Sequence, residues 1–106
     1  MTEKEKKLLS ALGICAKAGG VIFGVPMICE AMRRGGAKRP LLVIEASDTS
    51  ANTSKRISDK CSYYKTKHHK ISVDSETLSA SLGKSGLVAA VAVTDPHLTI
   101  LVEKNL

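Results

Sequence analysis

Aromatic side chains are the scarcest feature of this 106-residue chain, which has no Trp and holds only Phe23, Tyr63 and Tyr64. Domains that bind single-stranded RNA on a sheet face usually stack bases on several rings, so that mode of binding is disfavoured here. Long apolar runs are also missing, and the chain opens on the polar segment Thr2–Lys7. We therefore expect neither a transmembrane helix nor a secretory signal.

Cysteine is also sparse, and the odd number formed by Cys15, Cys29 and Cys61 leaves at least one thiol unpaired. Each lies among apolar or small neighbours within a predicted helix, which indicates buried thiols in a reducing compartment. No Cys-x-x-Cys or His-x-x-x-His spacing is present, and His68 and His69 lack partners at zinc-site spacings. We expect a cytoplasmic protein with no metal site and no cofactor.

Motifs of catalysis are incomplete or missing. The glycines form no G-x-G-x-x-G pattern, and Gly83-Lys84-Ser85 matches only the last three positions of a phosphate-binding loop. No nucleophile and base stand at a recognisable spacing, and the carboxylates, Glu45 among them, are scattered at positions with capping or surface explanations. We predict that the chain is not an enzyme and has no catalytic residues.

The apolar content of the chain, 43%, is enough for one modest core in a single domain spanning residues 1–106. Sixteen Lys and Arg residues against ten Asp and Glu residues give a formal net charge of +6. This excess favours a polyanionic partner, but it does not by itself separate nucleic-acid binding from simple solubility.

Apolar spacing and turn residues predict five helices and four strands in the order αβαβαβαβα. The helices cover 3–17, the segment from Val25 or Pro26 to Arg34, 51–64, a segment capped by Asp74 or Ser75, and a segment after Asp95-Pro96. The strands cover Val21–Phe23, Leu41–Ala46, Lys70–Val73 and Leu87–Val93. This order predicts an α/β fold, a three-layer α-β-α sandwich with a central mixed, largely parallel four-stranded sheet.

Two segments concentrate the positive charge. Arg33–Arg39 spans a helix end and a turn, where cations complement the helix dipole, and phosphate contact is the alternative interpretation. Lys65–Lys70 includes the paired histidines and lies just before a predicted strand. A solvated loop explains this segment better than zinc, which would need four ligands at recognisable spacings.

Three segments of the chain carry a recognisable pattern: Lys17–Gly24, Ala37-Lys38 before Leu41–Ile44, and the segment from Leu78 to Asp95. Together they resemble the ribosomal L-seven-Ae and L-thirty-e superfamily of kink-turn RNA-binding proteins. Asp48–Thr53, which leads into Lys55–Cys61 and Ser62-Tyr63-Tyr64, is similar to the bacterial YlxQ-like branch. The resemblance spans roughly 8–102 and implies a three-layer sandwich that binds RNA.

The resemblance also implies three RNA-contacting segments: the start of the second helix, the loop before the third helix, and the loop before the last strand. The candidate RNA-binding residues are Lys17, Gly24, Val25, Pro26, Met27, Ser47, Asp48, Ser50, Lys84, Ser85, Gly86 and Leu87. The implied partner is structured RNA, with ribosomal RNA as one candidate. We expect no DNA or membrane partner and a monomer when the protein is free.

One departure from the family pattern concerns base recognition. The family's Gly-x-Asn-Glu motif corresponds here to Gly24-Val25-Pro26-Met27, in which Pro26 has no amide hydrogen and Met27 has no carboxylate. We therefore predict a translation or ribosome accessory factor that binds kink-turn-like RNA with weakened base specificity. The alternative is a protein-interaction module on the same scaffold, which docks a partner around Val25, Pro26, Met27 and Leu87.

Overall fold

Five helices and four strands alternate along the chain in a computed structural model that describes all of residues 1–106. The helices are α1 (Glu3–Lys17), α2 (Val25–Arg34), α3 (Ala51–Tyr64), α4 (Ser75–Ser81) and α5 (Pro96–Glu103). The strands are β1 (Val21–Phe23), β2 (Leu42–Glu45), β3 (Lys67–Lys70) and β4 (Ala90–Val93). The predicted order of elements is confirmed, as are the predicted bounds of α1, α3 and β1.

Side-chain caps explain where most helices begin. Thr2 and Glu5 form a reciprocal capping box at α1, in which the Thr2 amide donates to Glu5 Oε1 at 2.7 Å. Ser50, Asp74 and Asp95 accept backbone hydrogen bonds at the starts of α3, α4 and α5. The helix α2 differs, because its N-cap is a glycine with no side chain. The first amides of α2 are therefore left without a side-chain acceptor.

The sheet has the strand order β1-β4-β2-β3. Strands β2 and β3 are parallel, whereas β4 is antiparallel to both β1 and β2. Hence β1, β2 and β3 run in one direction and only β4 is reversed. The predicted three-layer α/β fold with a mixed four-stranded sheet is confirmed. Three of the four strands share one direction, but only β2 and β3 form a parallel pair, because the reversed strand β4 lies between β1 and β2.

The reversal of β4 follows from the connection before it. Just past the ends of β2 and β3, the Ser47 amide donates to the Val73 carbonyl at 2.9 Å, and α4 begins at the same edge of the sheet. The chain then returns to that edge, where the Ala46 amide donates to the Ala89 carbonyl at 2.8 Å. Because α4 does not carry the chain across the sheet, β4 enters from the edge that β2 leaves.

Two strand predictions need correction. Strand β3 covers Lys67–Lys70 instead of Lys70–Val73, so the segment interpreted as a solvated loop is an edge strand. An edge strand tolerates charged side chains because one side of it faces solvent. Strand β4 begins at Ala90 instead of Leu87, and Leu87 is 77% exposed in the preceding loop. In both cases the apolar pattern includes residues that come directly before or after the strand along the chain.

Apolar side chains fill both faces of the sheet. Helices α1, α4 and α5 cover one face, where Leu12 and Ile44 are fully buried. Helices α2 and α3 cover the other face, where Val43 packs with Ile57. The sandwich therefore has a separate apolar core on each side of one sheet.

The cysteines are distributed over both cores. Cys15 and Cys61 are buried, as predicted, whereas Cys29 is only half-buried, so the expectation for this residue is wrong. Cys29 packs against the core under α2 and α3 but keeps part of its surface accessible. None of the helices combines the length and the apolar character needed to cross a membrane.

Candidate functional site

Three loops converge at the edge of the sheet where β1 and β2 end and β4 begins. The Gly24 amide donates to the Ala90 carbonyl at 3.1 Å, which places the start of α2 beside the start of β4. The bond from Ala46 to Ala89 places the end of β2 on the other side of β4. Residues 24–27, 47–50 and 84–87 therefore form one surface, which we call the loop edge.

The start of α2 is the part of the loop edge where a helix begins without a side-chain cap. Gly24 has φ +85°, a conformation that residues with a Cβ rarely adopt, and it provides no side-chain cap. The amides of Val25 and Met27 have no acceptor within the helix, and Pro26 has no amide hydrogen. The positive end of the helix dipole lies at the same place. This arrangement can receive an anionic group.

The side chains at the start of α2 divide between core and surface. Val25 is 7% exposed and packs in the core under α2 and α3, so its side chain supports the loop edge and does not form part of its surface. Pro26 is exposed, and Met27 is 61% exposed. Of the predicted contact residues in this segment, the structure places Gly24, Pro26 and Met27 at the surface.

The loop before α3 is held by its own polar side chains. Asp48 Oδ1 accepts from the Ser75 amide at 2.9 Å and from Ser75 Oγ at 2.6 Å. The hydrogen bond from the Ser75 hydroxyl lowers the pKa of Asp48 most, and the bond from the Ser75 amide lowers it further. Ser50 Oγ accepts from the Thr53 amide at 3.3 Å and caps α3. Asp48 thus holds the start of α4, and Ser50 holds the start of α3. The side chain of Ser47 is exposed and makes no such bond.

The loop before β4 is held in a similar way. Ser79 is buried, and its Oγ accepts from the Val88 amide at 2.7 Å. Lys84 Nζ lies 4.3 Å from the centre of the Phe23 ring, a cation–π contact beside the end of β1. Ser85, Gly86 and Leu87 are exposed. The loop therefore brings one cation and one large apolar side chain to the loop edge.

Lys17 is a predicted contact residue that lies away from the loop edge, at the opposite end of the sheet. It ends α1, and the turn after it brings Gly20 to the beginning of β1, opposite the end that leads to Gly24. The Gly20 carbonyl accepts from the Thr94 amide at 2.9 Å, beyond the far end of β4. No hydrogen bond or ion pair joins Lys17 to the residues of the loop edge.

Glu45, expected from the sequence at a capping or surface position, is fully buried at the end of β2, which is a correction. His68 Nε2 lies 2.7 Å from its Oε1, and Lys70 Nζ lies 3.6 Å from its Oε2. No donor hydrogen-bonds to Oε2. Burial raises the pKa of Glu45, but the nearby Ser54 hydroxyl, the His68 hydrogen bond and the charges of His68 and Lys70 outweigh burial and lower it.

A signal for this buried carboxylate does exist in the sequence. Glu45 interrupts the otherwise apolar run Leu41–Ala46, which is predicted to be covered on both faces, and a charge in such a strand needs a partner. His68 and Lys70 alternate in the neighbouring strand, so both side chains point to the same face as Glu45. The signal becomes visible only when Lys67–Lys70 is recognised as a strand.

The chemistry available at the loop edge is that of binding. It combines two free amides, a helix dipole, the Lys84 cation and two exposed apolar side chains, Met27 and Leu87. No group of three or more His, Cys, Asp or Glu side chains is arranged to hold a metal ion. The surface suits a polyanion whose backbone lies against amides and cations.

Comparisons with known proteins agree with this description. Residues 6–102 match the model of the family described as "Ribosomal protein L7Ae/L30e/S12e/Gadd45 family". A Bacillus subtilis (strain 168) protein named RNA-binding protein YlxQ is 38% identical over 84 residues, which cover 79% of each chain. An Enterococcus faecium protein of the same name is 36% identical over 59 residues, 56% of this chain and 54% of the other.

Solved structures show the same fold. A protein of unknown function from Bacillus halodurans C has a TM-score of 0.78 at 28% identity, over 92% of this chain and 97% of the other. The Giardia lamblia 15.5kD RNA binding protein has a TM-score of 0.78 at 18% identity, over 99% and 86% of the two chains. The second likeness is evidence for the fold alone.

The family match covers nearly the whole chain, and the two proteins similar in sequence are named RNA-binding proteins. The prediction that the chain is not an enzyme is confirmed by this relationship. The segment matched by the family includes all three loops of the loop edge. Together, the match over residues 6–102 and the 38% identity to a YlxQ protein show that this chain belongs to the ribosomal protein L7Ae/L30e/S12e/Gadd45 family, in its YlxQ-like branch.

Proposed function

We propose that this protein binds structured RNA at the loop edge, chiefly through the phosphate backbone. The observation that carries the proposal is the uncapped start of α2 beside Lys84, in a chain whose relatives are named RNA-binding proteins. Free amides at a helix N-terminus attract a phosphate, and the Lys84 cation adds a full charge next to them. The contacting residues are Gly24, Pro26, Met27 and the loop 84–87, with Ser47 at the border.

Base recognition is the weak part of this interface. Pro26 and Met27 are exposed where the family pattern has Asn and Glu, and neither offers a side chain that hydrogen-bonds to a base edge. A bidentate or charge-assisted contact contributes about 1–3 kcal/mol of discrimination, judged from contacts in DNA complexes. We infer that shape and phosphate contacts dominate, so a kink-turn is preferred only weakly over other structured RNA.

The test measures the affinity of the full chain for a kink-turn RNA and for a duplex of equal length, over a range of salt concentrations. Both affinities should fall with salt, because phosphate binding releases counterions. Lys84→Ala should weaken both by a similar factor and make the salt dependence shallower. Lys7→Ala, which removes the same charge from α1 on the other side of the sheet, is the matched control and should change little.

The base-recognition part is tested by restoring the family pair. Pro26→Asn with Met27→Glu should raise kink-turn affinity selectively, because it adds hydrogen-bonding groups without adding positive charge. A wild-type preference for the kink-turn of ~100-fold, about 2.7 kcal/mol, would contradict weakened recognition. The absence of RNA binding at low salt would overturn the proposed function itself.

A second candidate is protein docking at the same surface, and the exposure of Met27 and Leu87 favours it. These side chains are 61% and 77% exposed, among the most exposed large apolar residues of the chain. Apolar docking should respond little to salt, whereas phosphate binding should weaken steeply. Met27→Ser with Leu87→Ser therefore separates the two: it should abolish protein docking and leave most of the phosphate-driven RNA affinity.

The cellular setting belongs to the proposal as well. We propose that the protein acts as a monomer in the cytoplasm on ribosomal or other structured RNA of the translation apparatus, with no DNA or membrane partner. The net charge of +6 and the family relationship support a polyanionic partner of this kind. Crosslinking RNA to the protein in cells and sequencing it would identify the target.

A further inference from the structure

The outer face of α3 is a second basic surface, distinct from the loop edge. Asn52, Lys55, Arg56, Lys60 and Tyr63 are all exposed, and they line a shallow depression of about 660 Å³ with Asp59 and Tyr64. Lys55 pairs with Asp59 at 2.8 Å. Arg56 and Lys60 have no ion pair, so two cations one helical turn apart are free to bind an external anion.

Tyr63 lies on the same face, close to these cations. It is 78% exposed, and its ring meets that of Tyr64 edge to face, with 4.9 Å between the ring centres and 79° between the planes. Tyr64 is half-buried against the core under α2 and α3 and supports its neighbour. Tyr63 itself contributes little to that core, so most of its ring is available to a partner.

The combination of a free aromatic ring and unpaired cations fits one kind of partner well. Single-stranded nucleic acid is bound by aromatic side chains that stack with bases and by cations that follow the backbone. An apolar protein surface would find little to cover here, because the two tyrosines are the only large apolar groups lining the depression. The charge of the face, three cations against Asp59, favours an anionic partner.

The position of α3 connects this face to the loop edge. The helix begins at Ala51, directly after the loop 47–50, and Tyr63 lies near its other end. At 1.5 Å per residue, the path from Ser50 to Tyr63 is about 20 Å. A few nucleotides of extended strand that leave the loop edge could therefore reach the ring.

We propose that the outer face of α3 binds a single-stranded extension of the RNA held at the loop edge. One base stacks on Tyr63, and the flanking phosphates contact Arg56 and Lys60. This inference rests on the proposed function, since it requires that structured RNA occupies the loop edge. It adds a preference for structured RNA with an unpaired tail.

The experiment compares a kink-turn stem-loop with the same stem-loop carrying a tail of about six uridines at either end, using fluorescence anisotropy. Wild type should bind at least one tailed RNA about fivefold or more tightly than the untailed RNA, in line with the contribution of one stacked base. Tyr63→Ala and Lys60→Ala should each remove most of this gain without changing the affinity for the untailed RNA.

Two controls isolate the roles of the ring and the charge. Tyr63→Phe should keep the gain, because the ring remains, and Lys7→Ala should keep it although it removes the same charge as Lys60→Ala. Since the chain has no Trp, quenching of tyrosine emission by the tail reports stacking directly. The variants change exposed residues, and thermal melting should confirm that each remains folded.

The outcomes separate this inference from the proposed function. Normal binding of the untailed stem-loop with no gain from either tail would overturn the inference alone and would favour a protein partner for α3. A gain that survives Tyr63→Ala would also overturn it. Failure of wild type to bind any of the RNAs would overturn both.

Discussion

Removing the imidazole of His68 should destabilise the protein strongly, because it takes a hydrogen-bond donor and a nearby charge away from a buried carboxylate. Glu45 is 0% exposed, and His68 Nε2 lies 2.7 Å from its Oε1. The Ser54 hydroxyl also favours the ionised form of Glu45, but it carries no charge. Lys70 is 3.6 Å away with its side chain 45% exposed, so it compensates only partly. The variant His68→Ala tests how far the end of β2 depends on this contact.

The magnitude follows from burial. A hydrogen bond to a charged group contributes about 1.5–3 kcal/mol, and breaking a buried ion pair costs about 3–5 kcal/mol. His68 is 21% exposed, so water can enter part of the space that its ring leaves. We therefore expect His68→Ala to lower the free energy of unfolding by about 2–3 kcal/mol, measured by urea denaturation.

The matched control is His69→Ala in the same strand. His69 is exposed and points to the opposite face, so its loss should cost less than about 0.5 kcal/mol. The two substitutions change strand propensity equally, and the difference between them reports the contact with Glu45. Equal effects of the two substitutions would refute the argument that Glu45 depends on His68.

The pH dependence gives a second check. The pKa of Glu45 is lowered in the folded state, so its ionised form contributes stability that is fully present above the unfolded value of about 4.3. That contribution is lost as the pH falls through the lower folded pKa. The stability gap between wild type and His68→Ala should therefore be widest above about pH 5 and should close in stronger acid.

Three further predictions concern single positions. Ser79→Ala removes the acceptor of the buried Val88 amide and should cost about 1–3 kcal/mol, with faster hydrogen exchange at that amide. Gly24→Ala should cost about 1–3 kcal/mol in urea denaturation through backbone strain alone, since φ +85° with ψ 141° is a conformation nearly exclusive to glycine and no atom lies within 4 Å of the added Cβ. Burial raises the pKa of Cys61 to about 11, so in the folded protein at pH 8 its thiol should resist alkylation, while Cys29 reacts first. Rapid labelling of Cys61 before unfolding would contradict this expectation.

The helices of this fold could be predicted from the sequence because their signals are local. A capping residue and an apolar stripe at helical spacing fix α1 and α3 without knowledge of any neighbour. The edge strand β3 could not be placed in this way, because its residues are charged and its pattern depends on which side faces solvent. The reversed direction of β4 depends on where α4 returns the chain, which no local pattern records.

The candidate site shows the same division. The family resemblance indicates the three loops, and the structure brings them to one edge of the sheet. The burial of Val25 and the bonds from Asp48 to Ser75 could not be predicted from motifs, because they depend on contacts between distant segments. For the same reason Glu45 was expected at a cap or the surface: only the adjacent strand shows that it has partners.

The two outer strands of the sheet also affect whether the protein aggregates at high concentration. A sheet ends in unpaired backbone groups, and a long apolar edge would accept a strand from another molecule and promote aggregation. Here β1 is only three residues long, and β3 presents Lys67, His69 and Lys70. Strand addition at β3 would bring like charges of neighbouring molecules together. The charged edge strand should therefore keep concentrated solutions of this protein free of sheet-mediated aggregates.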